Sequence, residues 1–354
     1  MNAGAKQTSL AIESVVKAVA NWTVDQHAEM NPQLSNRYGS SWRADWIGHT
    51  TSQLHLLAQS VSVRSTALFA NSVRWALQSF QARGVAEVDL RQNMTCLRDV
   101  LAKELPPAVS RTVLEHVDAA IDALEPSKSA ADFEMSIDDE GASKEVLQYH
   151  EAILEGDRSR AESLILTAHQ DGVTVPHLYE HILAPAQARL GWMWHRGEIT
   201  VADEHFGSAI TQTLMAQLRQ HFHRSSPKGR TVVATSTPGD LHEIGLRMVA
   251  DLFEIDGWDV IYLGANTPTN DVIELLERRP PDLVALSVNT ALTLRDAGEL
   301  IEKVRENAKI AKTKILIGGP PLRAVTDLWR ELGADGCAQS AVEAVKMGNR
   351  LVAA

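Results

Sequence analysis

The 354-residue sequence has two cysteines, no basic cluster and no long apolar stretch. Cys96 and Cys337 lie far apart, so they provide neither metal-ligand spacing nor a disulfide framework, and a reducing cytoplasm is expected. The net charge is −11, and without clustered Lys and Arg we expect neither direct nucleic-acid binding nor attachment to an anionic membrane. No apolar run reaches the ~18 residues of a membrane span, and the N-terminus lacks a signal-peptide pattern.

The hydrophobic pattern divides the chain into three folded regions and one linker. Residues 1–125 show helical spacing and predict a four-helix sensor or dimerisation domain. Within them Thr50 to Arg83 contains neither Gly nor Pro and predicts one long helix. Residues 126–143 are acidic and polar and predict a linker. Residues 144–226 are helical again, with glycines between segments, and predict a second four-helix bundle.

Residues 227–354 change to short β-rich runs that alternate with helical runs. The predicted strands are 231–235, 259–263, 283–287, 314–317 and a weak strand near 337. Runs that are apolar on both faces and separated by helices indicate a parallel sheet covered on both sides. The sequence therefore predicts an α/β, doubly wound, flavodoxin-like domain, whose ligands bind beyond the carboxyl ends of the strands.

The loop after the first strand carries a histidine with a carboxylate two residues before it. Asp240 can accept a hydrogen bond from the His242 imidazole, which fixes the tautomer and makes the other ring nitrogen a better metal donor. Gly245 lets a bulky group approach the backbone, and Leu241 and Ile244 are expected to line the same site. Alternatively, His242 could simply cap the helix that follows.

The ends of the third and fourth strands carry small or polar residues. Ser287 and Asn289 follow the third strand, and the pair Gly318-Gly319 follows the fourth. Each could occur by chance in a turn, but their order on the correct strand ends favours a ligand site.

Taken together, these residues resemble the cobalamin-binding domain shared by methionine synthase, corrinoid methyl carriers and methylmalonyl-type mutases. The resemblance implies that His242 displaces the cofactor's dimethylbenzimidazole from cobalt. It also implies that Ser287 hydrogen-bonds the freed base and that Gly318 and Gly319 leave room for the nucleotide tail. Asn289 departs from the pattern, which has Leu or Thr there.

The central bundle carries Trp194-His195 and, after intervening residues, Glu204-His205. This spacing resembles that of cobalamin-dependent photoreceptors. It implies that the bundle covers the upper corrin face, with Trp194, Glu204 and His205 lining a cavity for an adenosyl group. It further implies that His195 captures cobalt after light breaks the Co–C bond. The main prediction is therefore an adenosylcobalamin light sensor, not an enzyme, with output through a homo-oligomer or a protein partner.

The N-terminal region lacks the basic DNA-binding domain of the photoreceptor repressors. The layout is similar to photocobilins, which implies a second chromophore, such as biliverdin held noncovalently. The alternative function is a corrinoid methyl-carrier protein of a methyltransferase system, since such carriers share the Asp-x-His-x-x-Gly, Ser and Gly-Gly set.

Overall fold

The computed structural model describes residues 3–125 and 142–353, so most of the predicted linker lies outside the described residues. The described chain falls into two compact units. Unit 1 comprises residues 3–125, 290–298 and 324–332, and unit 2 comprises residues 142–289, 299–323 and 333–353. None of the helices in these ranges has both the length and the apolar composition that a membrane crossing requires.

The N-terminal part of unit 1 contains six helices in the described range, where the sequence predicted four. They are α1 (Ala3–Met30), α2 (Leu34–Tyr38), α3 (Trp42–Ser62), α4 (Thr66–Ala82), α5 (Glu87–Glu104) and α6 (Pro107–Ala123). Their core is a continuous apolar cluster that includes Ile12, Leu54, Phe69, Leu97 and Val117. Unit 1 is thus an α-helical unit with its own core.

The prediction of one long helix over Thr50 to Arg83 is wrong, because the helix is interrupted between α3 and α4. Arg64 adopts a left-handed backbone conformation with φ of 55°. The Ser65 hydroxyl then accepts a hydrogen bond from the Leu68 N–H and caps the new helix. A serine cap needs neither Gly nor Pro, so the interruption carries little sequence signal.

Unit 2 begins with the predicted four-helix bundle, which we call the cap. Its helices are α7 (Lys144–Leu154), α8 (Arg158–Gln170), a third helix from α9 (Val175–Leu178) through a π-helical turn (Tyr179–Leu183) to α10 (Ala184–His195), and α11 (Val201–Leu218). The cap core also takes in Met248 and Leu252 from the following domain. The cap and a helix of the following domain therefore share buried apolar contacts.

The remaining elements of unit 2 form the predicted parallel sheet with its helices. They are β1 (Thr231–Ser236), α12 (Ile244–Ile255), β2 (Asp259–Gly264), α13 (Thr269–Arg278), β3 (Leu283–Ser287), α14 (Leu294–Glu306), β4 (Lys314–Gly318), α15 (Pro320–Ala324), α16 (Leu328–Glu331), β5 (Gly336–Ala338) and α17 (Ala341–Ala353). The strand order is β2-β1-β3-β4-β5 and all pairs are parallel. The first turn of α14, the last residue of α15 and all of α16 belong to unit 1. The predicted flavodoxin-like order is confirmed.

Candidate functional site

The histidine predicted to bind metal lies at the carboxyl edge of the sheet, directly after β1. Asp240 is buried, and its Oδ1 accepts the His242 Nδ1–H at 2.9 Å and the His242 backbone N–H at 3.0 Å. The His242 side chain is 67% exposed. Since a carboxylate only accepts, the ring proton belongs on Nδ1. Nε2 is therefore left unprotonated for an external ligand.

Electrostatics at this pair favour an ionised carboxylate. Burial opposes the charge and would raise the pKa of Asp240, but hydrogen bonds from His242 and Asn289 outweigh it and lower that pKa. In return, the hydrogen bond to Asp240 raises the pKa of His242, although burial opposes this shift. The negative charge of Glu204 also raises the pKa of His242. A carboxylate behind an imidazole increases its basicity as a metal ligand.

The ends of the neighbouring strands meet beside this loop. Ser236, Ser287 and Gly318 occupy the same level of β1, β3 and β4 in the strand register. The Ser287 Oγ accepts a hydrogen bond from the Asn289 side chain at 3.0 Å. The structure therefore brings the predicted serine and the glycine pair to one edge, next to Asp240.

Neither glycine of the pair could carry a side chain. A Cβ on Gly319 would lie 1.8 Å from the Val288 carbonyl oxygen, and the φ of Gly319 is 131°. A Cβ on Gly318 would lie 2.9 Å from the Ala338 carbonyl oxygen. The backbone itself thus requires both glycines, a constraint additional to the predicted need for ligand space. A Cβ on Gly245, by contrast, would meet nothing within 4 Å.

Asn266, after β2, supports the same loop and was not predicted. It adopts a left-handed φ of 53°, and its Oδ1 accepts the Gly239 N–H at 2.7 Å. Its own N–H lies within hydrogen-bonding distance of the Asp240 carbonyl and the Ser236 hydroxyl, at 3.0 Å each. The available signal was an Asn directly after a strand, since Asn tolerates this conformation better than most residues.

On the cap, α11 contacts the segment that follows the histidine. Gln212 donates to the Glu243 carboxylate at 3.0 Å, and Glu204 accepts a hydrogen bond from the Ser208 hydroxyl at 2.7 Å. Because Glu204 also influences the pKa of His242, the two predicted residues belong to one electrostatic environment.

The other predicted cap residues differ in exposure. Trp194 is 44% exposed, and the His205 side chain is 75% exposed and lies 3.7 Å from the Glu204 carboxylate. His195 is buried, with its ring 5.9 Å from that of Trp192. Trp194, Glu204 and His205 are therefore accessible or half-buried, whereas His195 is enclosed by protein.

This donor set fits a metal that arrives with ligands of its own. Among the described residues, no three His, Cys, Asp or Glu side chains are grouped as a metal ion would require. A bare ion such as zinc needs three or four protein ligands, whereas a macrocycle supplies the equatorial ligands and leaves one axial position to the protein. A single exposed imidazole backed by a buried carboxylate fits a corrin-bound cobalt.

Comparison with known proteins agrees with this fit. Residues 147–219 and 230–346 each match a family described as a B12 binding domain. The chain is 32% identical over 130 residues to dimethylamine corrinoid protein 3 of Methanosarcina mazei, covering 36% of this chain and 76% of that protein. The chain belongs to the corrinoid protein family.

Other corrinoid proteins match over greater lengths. The chain is 26% identical over 208 residues to a corrinoid protein of Desulfitobacterium hafniense, covering 57% of this chain and 94% of the relative. It is 27% identical over 201 residues to a trimethylamine corrinoid protein of Methanosarcina barkeri, covering 55% and 90%. The structure of the M. barkeri monomethylamine corrinoid protein matches with a TM-score of 0.52 at 21% identity over 57% of this chain and 96% of that one, which shows a shared fold.

These relatives correct the main functional prediction. The chain is a cobalamin-binding protein, but the prediction of a light sensor is wrong, because the relatives are corrinoid proteins named for methylated amines. They favour the alternative prediction, a methyl carrier. The predicted capture of cobalt by His195 after illumination was part of the light-sensor prediction and is withdrawn with it. Neither an adenosyl form of the cofactor nor biliverdin receives support from the comparisons.

Proposed function

We propose that this protein is a corrinoid methyl carrier of a methyltransferase system, with His242 as the protein ligand of cobalt. The observation that carries the proposal is the exposed His242 ring, whose Nδ1–H is fixed on the buried carboxylate of Asp240 at 2.9 Å. The names of the trimethylamine and dimethylamine corrinoid proteins support the class of group carried. A bound corrinoid would supply a cobalt centre that takes up a methyl group and gives it to an acceptor.

The residues of the sheet edge would hold the lower side of the cofactor. His242 offers Nε2 along a direction set by Asp240, and Ser287 offers a hydroxyl to the nucleotide base. The open space over Gly245 admits the corrin close to the backbone. The exposed side chain of Leu241 and the half-buried one of Ile244 supply apolar contact at the start of α12. Gly318 and Gly319 keep the strand end free of side chains.

The cap would shelter the upper side. Trp194 presents an apolar ring and Glu204 and His205 present polar groups, all near the start of α11 or the end of α10. Water exclusion by such residues would limit the access of protons to the bound cofactor. Contact of His195 with the cofactor stays a prediction. The proposed partner is a methyltransferase that docks on the cap.

The ligation is tested by His242→Ala. His223→Ala is the matched control, because the His223 ring contacts its own segment at the His221 carbonyl oxygen, 3.0 Å away. We expect His242→Ala to weaken cobalamin binding at least ~10-fold, the lower end of losses for disturbed metal sites. Its bound cobalamin should keep dimethylbenzimidazole on cobalt, whereas wild type and His223→Ala should release it. Equal affinity and a benzimidazole-ligated spectrum in all three proteins would refute His242 as the ligand.

The carrier role is tested by methyl transfer. Protein loaded with reduced cobalamin is treated with ¹³C-methyl iodide and then given a thiol acceptor and a methylcobamide:thiol methyltransferase. We expect the ¹³C-methyl group to reach the thiol faster from the protein than from free methylcobalamin. A protein that retains its methyl group, or delivers it no faster than the free cofactor, contradicts the proposal.

A further inference from the structure

The side-chain amide of Asn289 lies between the three groups on which cobalamin ligation would depend. Its Nδ2 is 3.3 Å from Asp240 Oδ2, 3.2 Å from the His242 carbonyl oxygen and 3.0 Å from Ser287 Oγ. The Asn289 backbone N–H donates to the same Asp240 Oδ2 at 2.7 Å. One residue after β3 therefore contacts the carboxylate, the histidine's own peptide group and the serine.

The orientation of this amide follows from the chemistry of its neighbours. A carboxylate and a peptide carbonyl only accept, so the amide nitrogen and not the oxygen must face Asp240 and His242. An amide nitrogen in turn cannot accept a hydrogen bond. The Ser287 hydroxyl thus accepts a hydrogen bond from the Asn289 amide and keeps its own O–H free to donate to another acceptor. Among the described residues, the Ser287 hydroxyl has no hydrogen-bond partner other than Asn289.

Asn289 also completes the set of donors around Asp240. Oδ1 accepts the ring and backbone N–H groups of His242. Oδ2 accepts the Asn289 backbone N–H at 2.7 Å, and Asn289 Nδ2 is a longer contact at 3.3 Å because its two hydrogens are shared among three acceptors. With both oxygens engaged, the carboxylate plane is fixed, and so is the direction of the imidazole bonded to it. A Leu at 289 would keep the backbone N–H but lose every contact of the amide.

We propose that Asn289 is a positioning residue with two effects. It fixes Asp240 and the His242 loop in the ligating geometry, and it directs the Ser287 proton toward a nitrogen acceptor on the lower base of the cofactor. The preferred ligands are then cobamides whose lower base carries a free ring nitrogen, as benzimidazole does, over cobamides with a phenolic base. This inference rests on the proposed ligation by His242 and on the proposed contact of Ser287 with the lower base.

The test uses Asn289→Leu, which has similar volume and no polar group, and Asn289→Thr, which restores one hydroxyl donor. Asn349→Leu is the control, because Asn349 also joins several partners, among them Asp256 and Trp258, but at the other end of the sheet. Each full-length protein is titrated with cobalamin and with a phenolic cobamide.

We expect Asn289→Leu to weaken cobalamin binding about tenfold and to weaken phenolic cobamide binding less, because that base has no nitrogen for Ser287. Asn289→Thr should recover part of the loss, and Asn349→Leu should bind both ligands as wild type does. A merely structural role for Asn289 would lower both affinities by the same factor, and that result would overturn the inference. So would affinities within twofold of wild type in both Asn289 variants.

The same proteins, labelled with ¹⁵N and loaded with unlabelled cob(II)alamin, separate this inference from the proposed function. In the electron paramagnetic resonance spectrum, the ¹⁵N of a histidine ligand splits each cobalt hyperfine line into a doublet. The ¹⁴N of dimethylbenzimidazole splits each of these lines into a triplet. Triplets in the wild-type spectrum would refute ligation by His242, whatever the affinities of the Asn289 variants. Doublets in wild type with unaltered affinities in Asn289→Leu would defeat only the role of Asn289. We expect doublets in wild type and an added triplet component in Asn289→Leu.

Discussion

The properties of His242 come from residues that follow three different strands. Asp240 follows β1 and orients the ring, Asn266 follows β2 and supports the loop, and Asn289 follows β3 and binds the other carboxylate oxygen. In a parallel sheet these carboxyl ends lie side by side, so residues distant in sequence become neighbours. The result is a buried carboxylate whose hydrogen bonds are satisfied on both oxygens, which is the condition for keeping a charge inside a protein.

Gly319 provides a test of stability at this scale. Alanine there would place its Cβ 1.8 Å from a carbonyl oxygen at a φ of 131°, so we expect Gly319→Ala to lower the free energy of unfolding of unit 2 by about 3 kcal/mol or more. Gly191→Ala is the control, since Gly191 lies inside α10 with no atom near its missing Cβ. It should raise that free energy by roughly 0.5–1 kcal/mol. Urea unfolding without cofactor measures both, and equal effects of the two substitutions would contradict the argument.

Among the elements, the π-helical turn of the cap joins the cap to the helix that follows the histidine loop. The Tyr179 hydroxyl, in the π turn, donates to the buried Asp251 of α12 at 2.9 Å. Arg219 donates to the same carboxylate at 2.8 Å and also pairs with Glu254. Because α12 begins two residues after His242, this polar cluster links the position of the cap to that of the ligand loop. Such π turns occur often at functional sites.

Two tyrosines of the cap measure the strength of this link. Tyr179→Phe removes a hydrogen bond to a buried carboxylate, which typically costs about 1.5–3 kcal/mol. Tyr149→Phe removes a neutral bond to the Thr211 hydroxyl of 2.9 Å, which typically costs about 0.5–1.5 kcal/mol. We therefore expect the larger loss of unfolding free energy in Tyr179→Phe, measured by urea denaturation. The reverse order would show that Asp251 is held by Arg219 alone.

At the scale of the whole molecule, buried histidines make unit 1 sensitive to acid. In unit 1, His27 is fully buried among aromatic side chains, with its ring 4.9 Å from that of Trp46. Neither of its nitrogens has a hydrogen-bond partner among the described residues. Burial lowers the pKa of His27 from 6.5 to about 4, and burial lowers that of His49 to about 4 as well. Both rings are thus neutral in the fold at pH 7.

Unit 1 should consequently lose stability between pH 6.5 and pH 4. In this interval the unfolded chain binds a proton at His27 and the folded chain does not, so falling pH favours unfolding, by up to about 3 kcal/mol for His27. His27→Leu should flatten this dependence, and should cost little at pH 7 because no hydrogen bond is lost. Tryptophan fluorescence of urea unfolding at pH 7, 5.5 and 4.5 provides the measurement. An unchanged pH slope in His27→Leu would exclude this histidine as the source.

The local hydrophobic pattern predicted the strands well but failed at one helix. The runs at 231–235, 259–263, 283–287 and 314–317 each coincide with a strand to within one residue, because a parallel strand buried on both faces must be apolar along its length. The helix predicted over Thr50 to Arg83 failed, because a left-handed residue and a serine cap end α3 and start α4 without Gly or Pro. The light-sensor prediction failed because it depended on the spacing of four cap residues, whereas the relatives include corrinoid proteins named for methylated amines.

The sequence by itself determined the α/β class, the positions of the strands and the Asp-x-His-x-x-Gly loop, since these depend on periodicity and on residues close together in the chain. The tertiary structure added Asn266 to the site and decided which groups the predicted Asn289 contacts. Asn266 and Asn289 lie 26 and 49 residues from Asp240 in sequence, yet both bond its segment. Their roles depend on the distances between strand ends, which are fixed only when the sheet assembles. A hydrogen bond requires its donor and acceptor to lie about 3 Å apart, and the sequence alone does not give that distance.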